Sequence, residues 1–282
     1  MSRIAVVTIC TRDLNFRDYT IENSRDYCKR HGYDFLLYED RIDPESAAIS
    51  NKTICVLQNI DKYDWIFMKD ADSLFYNFNF RLEDYIDENY NYIASMSSIP
   101  DTVNLGHLLI QCTPQSKKEL EMVSGVIREK VVLKGEQPIF NDFWNEGKIS
   151  SIKRLPKHVL NAQVFDKENH EEWTLTLEDL QKLDDRDINF EAHADVKSDT
   201  FIIHYPGAFL KSRSYLHERL VHTTGEADMF NFSEEYLPEF IATYNGIRQK
   251  FLVPDKIKTV SRIPYGVRVK KNQRKKIKYK NR

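Results

Sequence analysis

Two carboxylates one residue apart, Asp70 and Asp72, close the apolar run Trp65-Ile66-Phe67-Met68. Hard oxygen ligands at that spacing suit Mg2+ or Mn2+ carrying a phosphate-bearing substrate. Alone the pair is ambiguous, because two acids after a strand also occur as a helix cap or a solvated turn. His204 adds to it. It ends a second apolar run, Thr200-Phe201-Ile202-Ile203, and is followed by Tyr205-Pro206-Gly207, a turn able to fold over a ligand. An imidazole beside carboxylates makes a mixed site suited to Mn2+, against the simpler reading of a hydrogen-bonded core histidine. The other seven histidines lack this setting.

The elements that must position these residues read as α/β. Four large apolar residues in succession suit a strand covered on both faces, so Trp65–Met68 is a buried strand with the acidic pair at its carboxyl end, where open α/β sheets bind ligands. Ahead of it, Ile4–Cys10 reads as a strand, Asp18–Arg30 as a helix stopped by Gly32, Tyr33–Tyr38 as a strand and Ser50–Ile60 as a helix. This β-α-β opening predicts a mostly parallel sheet with covering helices. Further on, Arg81–Ile86 is a short helix, Tyr92–Met96 a strand, and Leu108–Cys112 a strand preceded by Asn104-Leu105-Gly106. Helices follow at Ser116–Lys130 and Gln137–Asn145, then a strand at Ile149–Leu155 closed by Pro156. Residues 157–199 read as a polar excursion with a short helix at Leu175–Leu183. C-terminal helices are predicted at Ser214–His222 and Ser233–Leu252, the latter opened by a serine cap and acidic first turn.

Length and composition allow one large domain over residues 1–252 and an extension over 253–282. With 41% hydrophobic and 30% charged residues the chain is not broadly disordered. Residues 268–282 hold nine Lys or Arg and no acid, so 32 basic residues face 43 acidic ones in the remainder. An acidic body argues against nucleic acid as a partner. The tail reads as solvated, or as a weak attachment to an anionic membrane at about 1 kcal/mol per charge. Cys10, Cys28, Cys55 and Cys112 are widely spaced with no C-x-x-C pair, as expected of thiols in a reducing compartment. No run has the length of a signal peptide or membrane span, which predicts a cytoplasmic protein. Asn51-Lys52-Thr53 and Asn231-Phe232-Ser233 match the glycosylation acceptor pattern without consequence there.

In order along the chain, Thr8 in the first strand, His31-Gly32-Tyr33, Lys52, Asp70-Ala71-Asp72-Ser73, Asn104-Leu105-Gly106, Glu136-Gln137-Pro138-Ile139-Phe140-Asn141, Asn161 and His204-Tyr205-Pro206-Gly207 resemble the GT-A glycosyltransferases. The likeness is to the family of fungal galactosyl- and mannosyltransferases and plant xyloglucan xylosyltransferases, and more distantly to the glycogenin-like family. It spans residues 4 to about 211 and implies a single GT-A domain with a mostly parallel mixed sheet flanked by helices. It implies a nucleoside diphosphate sugar donor over the D-x-D, with Mn2+ or Mg2+ held by Asp72 and His204 and Asp70 reaching the metal or the ribose. Thr8 and Arg12 then meet the base and ribose, and Lys52 faces the donor, with a solvated helix residue as the alternative. Ala71 and Gly207 are further substrate-binding positions, and Lys211 reaches the pyrophosphate, although it comes one residue later than the glycogenin-like pattern. Gly106 leaves room for the sugar. Gln137 lies beside the anomeric carbon, which favours retention of configuration, with Glu136 and Asp142 as the carboxylates available for any other course.

The fungal and plant relatives carry a membrane anchor and a cysteine after the histidine, which this sequence lacks. It reads as a stripped catalytic domain of the kind a bacterium or virus uses in the cytosol. The expectation is a metal-dependent transferase moving a sugar, UDP-linked, to a hydroxyl of a glycan or glycoconjugate. The rivals are a D-x-D phosphatase, which usually carries its motif near the N-terminus with Thr or Val after it, and a non-catalytic nucleotide-sugar or glycan-binding module, which need not keep both Asp72 and His204.

Overall fold

The computed structural model describes residues 2–11, 14–43, 51–97, 101–129, 136–163, 196–205 and 237–252. The chain opens with β1 (Ile4–Ile9), α1 (Arg17–His31), β2 (Asp34–Tyr38), α2 (Asn51–Leu57) and β3 (Trp65–Lys69). It continues through β4 (Ser73–Phe75), a 3-10 turn (Leu82–Asp84), β5 (Tyr92–Met96), β6 (Val103–Gln111), α3 (Pro114–Glu129), α4 (Glu136–Asn145), β7 (Ile152–Leu155), α5 (Lys157–Asn161), β8 (Ala162–Gln163), β9 (Ile202–His204) and α6 (Leu237–Phe251). Gly32 ends α1 in the left-handed region at φ 76°, which a residue with a side chain adopts only under strain.

Six strands form one sheet in the order β2-β1-β3-β6-β5-β7, with β6 antiparallel to both neighbours and the other pairings parallel. Alternate residues of the same strand point to opposite faces, and both faces are covered. Ile4, Val6, Trp65 and Phe67 pack with Tyr27 of α1, Phe240 and Tyr244 of α6, and Phe75 and Ile203 of a second sheet. Ala5, Val7, Ile66 and Met68 face Val56 of α2, Val123 of α3 and Phe140 of α4. That double covering explains the unbroken apolar character of β1 and β3.

The second sheet, β4-β9-β8, was not legible in the sequence. Its central β9 runs antiparallel to β4 and parallel to β8. Asn23 of α1 braces β4 by donating to the Phe75 carbonyl (3.1 Å) and accepting from the Phe75 N–H (2.8 Å). A helix side chain therefore satisfies backbone groups that a further strand would otherwise pair.

Several expected boundaries are corrected. Strand β6 begins at Val103, not Leu108, so Asn104-Leu105-Gly106 lies within a strand rather than before one. Helix α4 makes this possible: Asn141 accepts from the Val103 N–H (2.8 Å) and donates to its carbonyl (3.0 Å), and Gln137 accepts from the Leu105 N–H (2.9 Å). Arg81–Ile86 contracts to the 3-10 turn, and β7 starts at Ile152 because residues 149–151 turn around the buried Glu119 carboxylate, which accepts from the Ser150 N–H (2.9 Å). The start of the polar excursion is regular, since 157–163 form α5 and β8. The predicted helices at Leu175–Leu183 and Ser214–His222, and residues 233–236 of the last one, lie outside the described residues.

Candidate metal centre

The Asp70-Ala71-Asp72 turn is where the chain passes from the first sheet to the second. At its start, the Asp70 N–H donates to the Gly106 carbonyl (2.8 Å), one step beyond the Lys69–His107 pair that ends the β3–β6 ladder. At its end, the Tyr205 N–H donates to the Asp72 carbonyl (2.9 Å), one step beyond the Ser73–His204 pair of β4 and β9. Both carboxylate-bearing residues are thus fixed by backbone ladders, and the register of β4 on β9 brings His204 to them.

His204 Nε2 lies 3.2 Å from Asp72 Oδ1 and 3.8 Å from Asp70 Oδ2. One ligand atom from each of the three residues falls within 4.8 Å of the others. Adjacent ligands of an octahedral cation, bound at about 2.1 Å, stand about 3 Å apart, so this donor set fits a divalent ion of the Mg2+ or Mn2+ kind. Asp70 and Asp72 keep 23% and 26% of their side-chain surface open, while His204 is buried, which leaves an entry on the carboxylate side. Burial works against the Asp72 charge, but His204, a backbone hydrogen bond and the Lys52 ammonium together hold the carboxyl below its usual range.

Below the turn lies a polar support. Lys69 is buried and its ammonium donates to the carbonyls of Asp70 (3.1 Å) and Ser73 (2.7 Å); burial lowers its pKa to about 8. Ser73 Oγ donates to the Asp70 carbonyl (2.8 Å), so the Nε2 of buried His107, 2.8 Å from the same Oγ, is the donor there. His107 meets the His204 ring edge-on at 5.0 Å, and burial holds its pKa well below the ordinary value.

Lys52 is not a solvated helix residue. Its ammonium is buried 2.7 Å from Asp70 Oδ1 and 3.0 Å from Glu136 Oε1. Burial opposes its charge, yet the carboxylates of Asp70 and Glu136 prevail and raise its pKa. Glu136 is shifted upward because burial exceeds the help from Lys52. With Oδ1 tied to Lys52, Asp70 presents Oδ2 to the cluster.

Gly106 belongs to the same cluster. A Cβ there would stand 2.7 Å from Asp70 Oδ2, 2.8 Å from Asn104 Oδ1 and 3.2 Å from His204 Cε1. Gln137 sits on α4 with its carbonyl oxygen engaged by Leu105, and Asp142 of the same helix is exposed. Thr8 is buried at the carboxyl end of β1 with no partner for Oγ1 among the described residues. Ala71 lies in the turn itself. Arg12, Gly207 and Lys211 fall outside the described residues. The sequence reading missed Lys69, His107 and the Lys52–Glu136 pair; the one available signal was Glu136 directly preceding Gln137.

The fold defines a class. The chain superposes on a glycosyltransferase involved in glycosylation of the major capsid of PBCV-1, with TM-score 0.52 and 15% identity over 79% of this chain and 100% of that one. The sheet and its flanking helices are the GT-A arrangement that the motifs imply. Weaker likenesses extend to GlyE of Streptococcus pneumoniae (TM-score 0.46, 15% identity, 88% of this chain and 64% of that one) and to a Drosophila beta1,4galactosyltransferase 7 mutant in complex with manganese, UDP-Gal and xylobiose (TM-score 0.36, 17% identity, 54% and 64%). Within that class, residues 4–98 match the model of the galactosyl transferase GMA12/MNN10 family. The matched span includes Lys52, Asp70 and Asp72, and it ends before Gln137 and His204. Match and fold together support a glycosyltransferase. No curated protein matches in sequence. Among the described residues no helix is long and apolar enough to cross a membrane, and Cys28, Cys55 and Cys112 are free thiols.

Proposed function

We propose that the chain is a metal-dependent glycosyltransferase that moves a sugar from a nucleoside diphosphate sugar, UDP-linked, to a hydroxyl of a glycan or glycoconjugate with retention of configuration. The convergence of Asp70, Asp72 and His204 at the junction of the two sheets carries this reading. The family match over the D-x-D supports the reaction class. When bound there, Mn2+ or Mg2+ supplies Lewis-acid stabilisation of the negative charge that grows on the leaving diphosphate.

The chain's own residues do the positioning. Lys52 restricts Asp70 to one oxygen, and Gly106 keeps the space beside that oxygen clear. The partnerless Thr8 hydroxyl at the end of β1 supports a contact with the ribose or base. With Oε1 held by Leu105, Gln137 offers its Nε2 to a ligand. Glu136 is committed to Lys52 and Asp142 is exposed, which supports retention without a carboxylate nucleophile from α4. Arg12, Gly207 and Lys211 complete the donor site by resemblance, and residues 253–282 extend the catalytic domain with a basic tail suited to weak contact with anionic membrane.

The test is release of free nucleoside diphosphate from a panel of nucleotide sugars with Mn2+, with and without chelator. Metal-dependent release from one donor is expected. Absence of any such release, together with no nucleotide-induced thermal shift, removes the transferase reading.

A further inference from the structure

The two nitrogens of His204 face different partners. Nδ1 lies 2.6 Å from the Asn161 side-chain oxygen, whereas Nε2 points at Asp72 and Asp70. An amide oxygen only accepts, so Nδ1 carries the hydrogen, and in the neutral ring the Nε2 lone pair is then the one aimed at the two carboxylates. In that form lone pairs from three groups converge on one point, an arrangement that a divalent cation satisfies. Were the amide reversed, Nδ1 would become the acceptor and Nε2–H would be spent on Asp72.

Asn161 is itself held by elements on both sides. It is 1% exposed at the end of α5. That helix is fastened to the main sheet through Ser95, whose Oγ accepts from the Leu160 N–H and donates to the Pro156 carbonyl, each at 3.0 Å. It is fastened to the second sheet by the Phe201 N–H on the Val159 carbonyl (2.9 Å) and by β8, where Gln163 stands opposite His204. The near face of Gly106 and the edge of His107 bound the His204 ring elsewhere. We infer that Asn161 is a positioning residue for the metal centre, fixing the tautomer and orientation of His204 so that Nε2 is presented as a ligand. This rests on the metal-clamp reading above. The polar excursion predicted to begin at residue 157 therefore starts with a working part of the site.

The test uses the full chain without nucleotide and follows free Mn2+ by its paramagnetic resonance signal during titration, with thermal melting in the absence of metal as the check on folding. Asn161→Leu and Asn161→Ala are expected to weaken Mn2+ binding about 10–100-fold while still melting cooperatively. Asn161→Asp keeps the acceptor oxygen and is expected to bind within about threefold of the parent, as carboxylate–histidine–metal triads do. Folded Leu or Ala variants that bind within about threefold of the parent overturn the inference, as does an Asp variant more than about tenfold weaker. A parent that binds no Mn2+, or a His204→Ala variant that binds as the parent does, instead overturns the metal reading beneath it.

Discussion

Gly106 and Lys52 show how closely the candidate centre is fitted. A methyl group at 106 meets a carboxylate oxygen, an amide oxygen and an imidazole carbon, none of which can leave without loosening the cluster. Gly106→Ala should therefore cost about 1–3 kcal/mol of stability through overpacking, measured by urea denaturation. Mn2+ affinity should fall at least about tenfold, since the displaced group is a ligand or its neighbour; unchanged affinity would place the metal elsewhere. Lys52 acts through charge. Replacing it leaves Glu136, 2% exposed, without its counter-ion. Lys52→Met should destabilise by about 3–5 kcal/mol, because a buried carboxylate loses its partner. Adding Glu136→Gln should recover a large part of that loss, as the unpaired charge is gone. A double variant no more stable than the single one would mean that Glu136 is not the group Lys52 neutralises.

Among the elements, those with strong local signals were the legible ones. Strands β1, β3 and β5 and helices α1 and α3 followed from apolar runs, helical spacing and the Gly32 stop. Strand β4, three residues long, has no such signal, and its existence depends on Asn23 reaching across from α1. The amino-terminal half of β6 was likewise hidden, because its polar Asn104 and its glycine read as a turn until Gln137 and Asn141 supply the backbone partners. Asn23→Leu should cost about 1–3 kcal/mol for each Phe75 backbone group left unpaired. Hydrogen exchange at the Phe75 amide should accelerate, whereas a protected amide would show that β4 does not need the clamp. The α1–α6 contact carries a pH signature. Asp26 is shifted upward, chiefly by burial, with Arg248 at 3.6 Å opposing. A raised carboxyl favours folding below its ordinary value of 3.8, and that contribution is lost as pH rises through the folded value. Asp26→Asn removes the ionisation, so it should raise the Tm at pH 7 and give no gain near pH 3. A lower Tm at pH 7 would show that the Arg248 pair outweighs burial.

Across the whole molecule, the site lies where two sheets meet, and this is why half of it was legible. Asp70 and Asp72 announce themselves within one strand and its turn, and His204 within another, but their meeting depends on β4–β9 pairing and on supports from α1, α2, α4 and α5. Such supports are only faintly marked in the sequence: Lys52 faces the donor by resemblance alone, with a solvated helix residue as the alternative, and Asn161 stands in the same resembling series as His204 with nothing there to show their contact. The last helix extends this dependence to the far end of the chain. Helix α6 docks on α1 through Arg248 on Glu22 (2.9 Å), Tyr244 donating to Glu22 (2.6 Å) and the Arg30 guanidinium donating to the Phe251 carbonyl (2.7 Å). Its buried Phe240 packs edge-on against Phe16 and against Tyr205, the residue that follows His204 and whose N–H holds the Asp72 carbonyl. Removing that ring leaves a cavity behind the β9 end of the metal centre. Phe240→Ala should lower global stability by about 3–5 kcal/mol. If α6 braces the site through Tyr205, Mn2+ affinity should fall too, and Phe240→Leu, which fills much of the cavity, should recover both. Lost stability with Mn2+ binding intact would show that α6 serves the core alone and that the β4–β9 ladder holds the ligands without it.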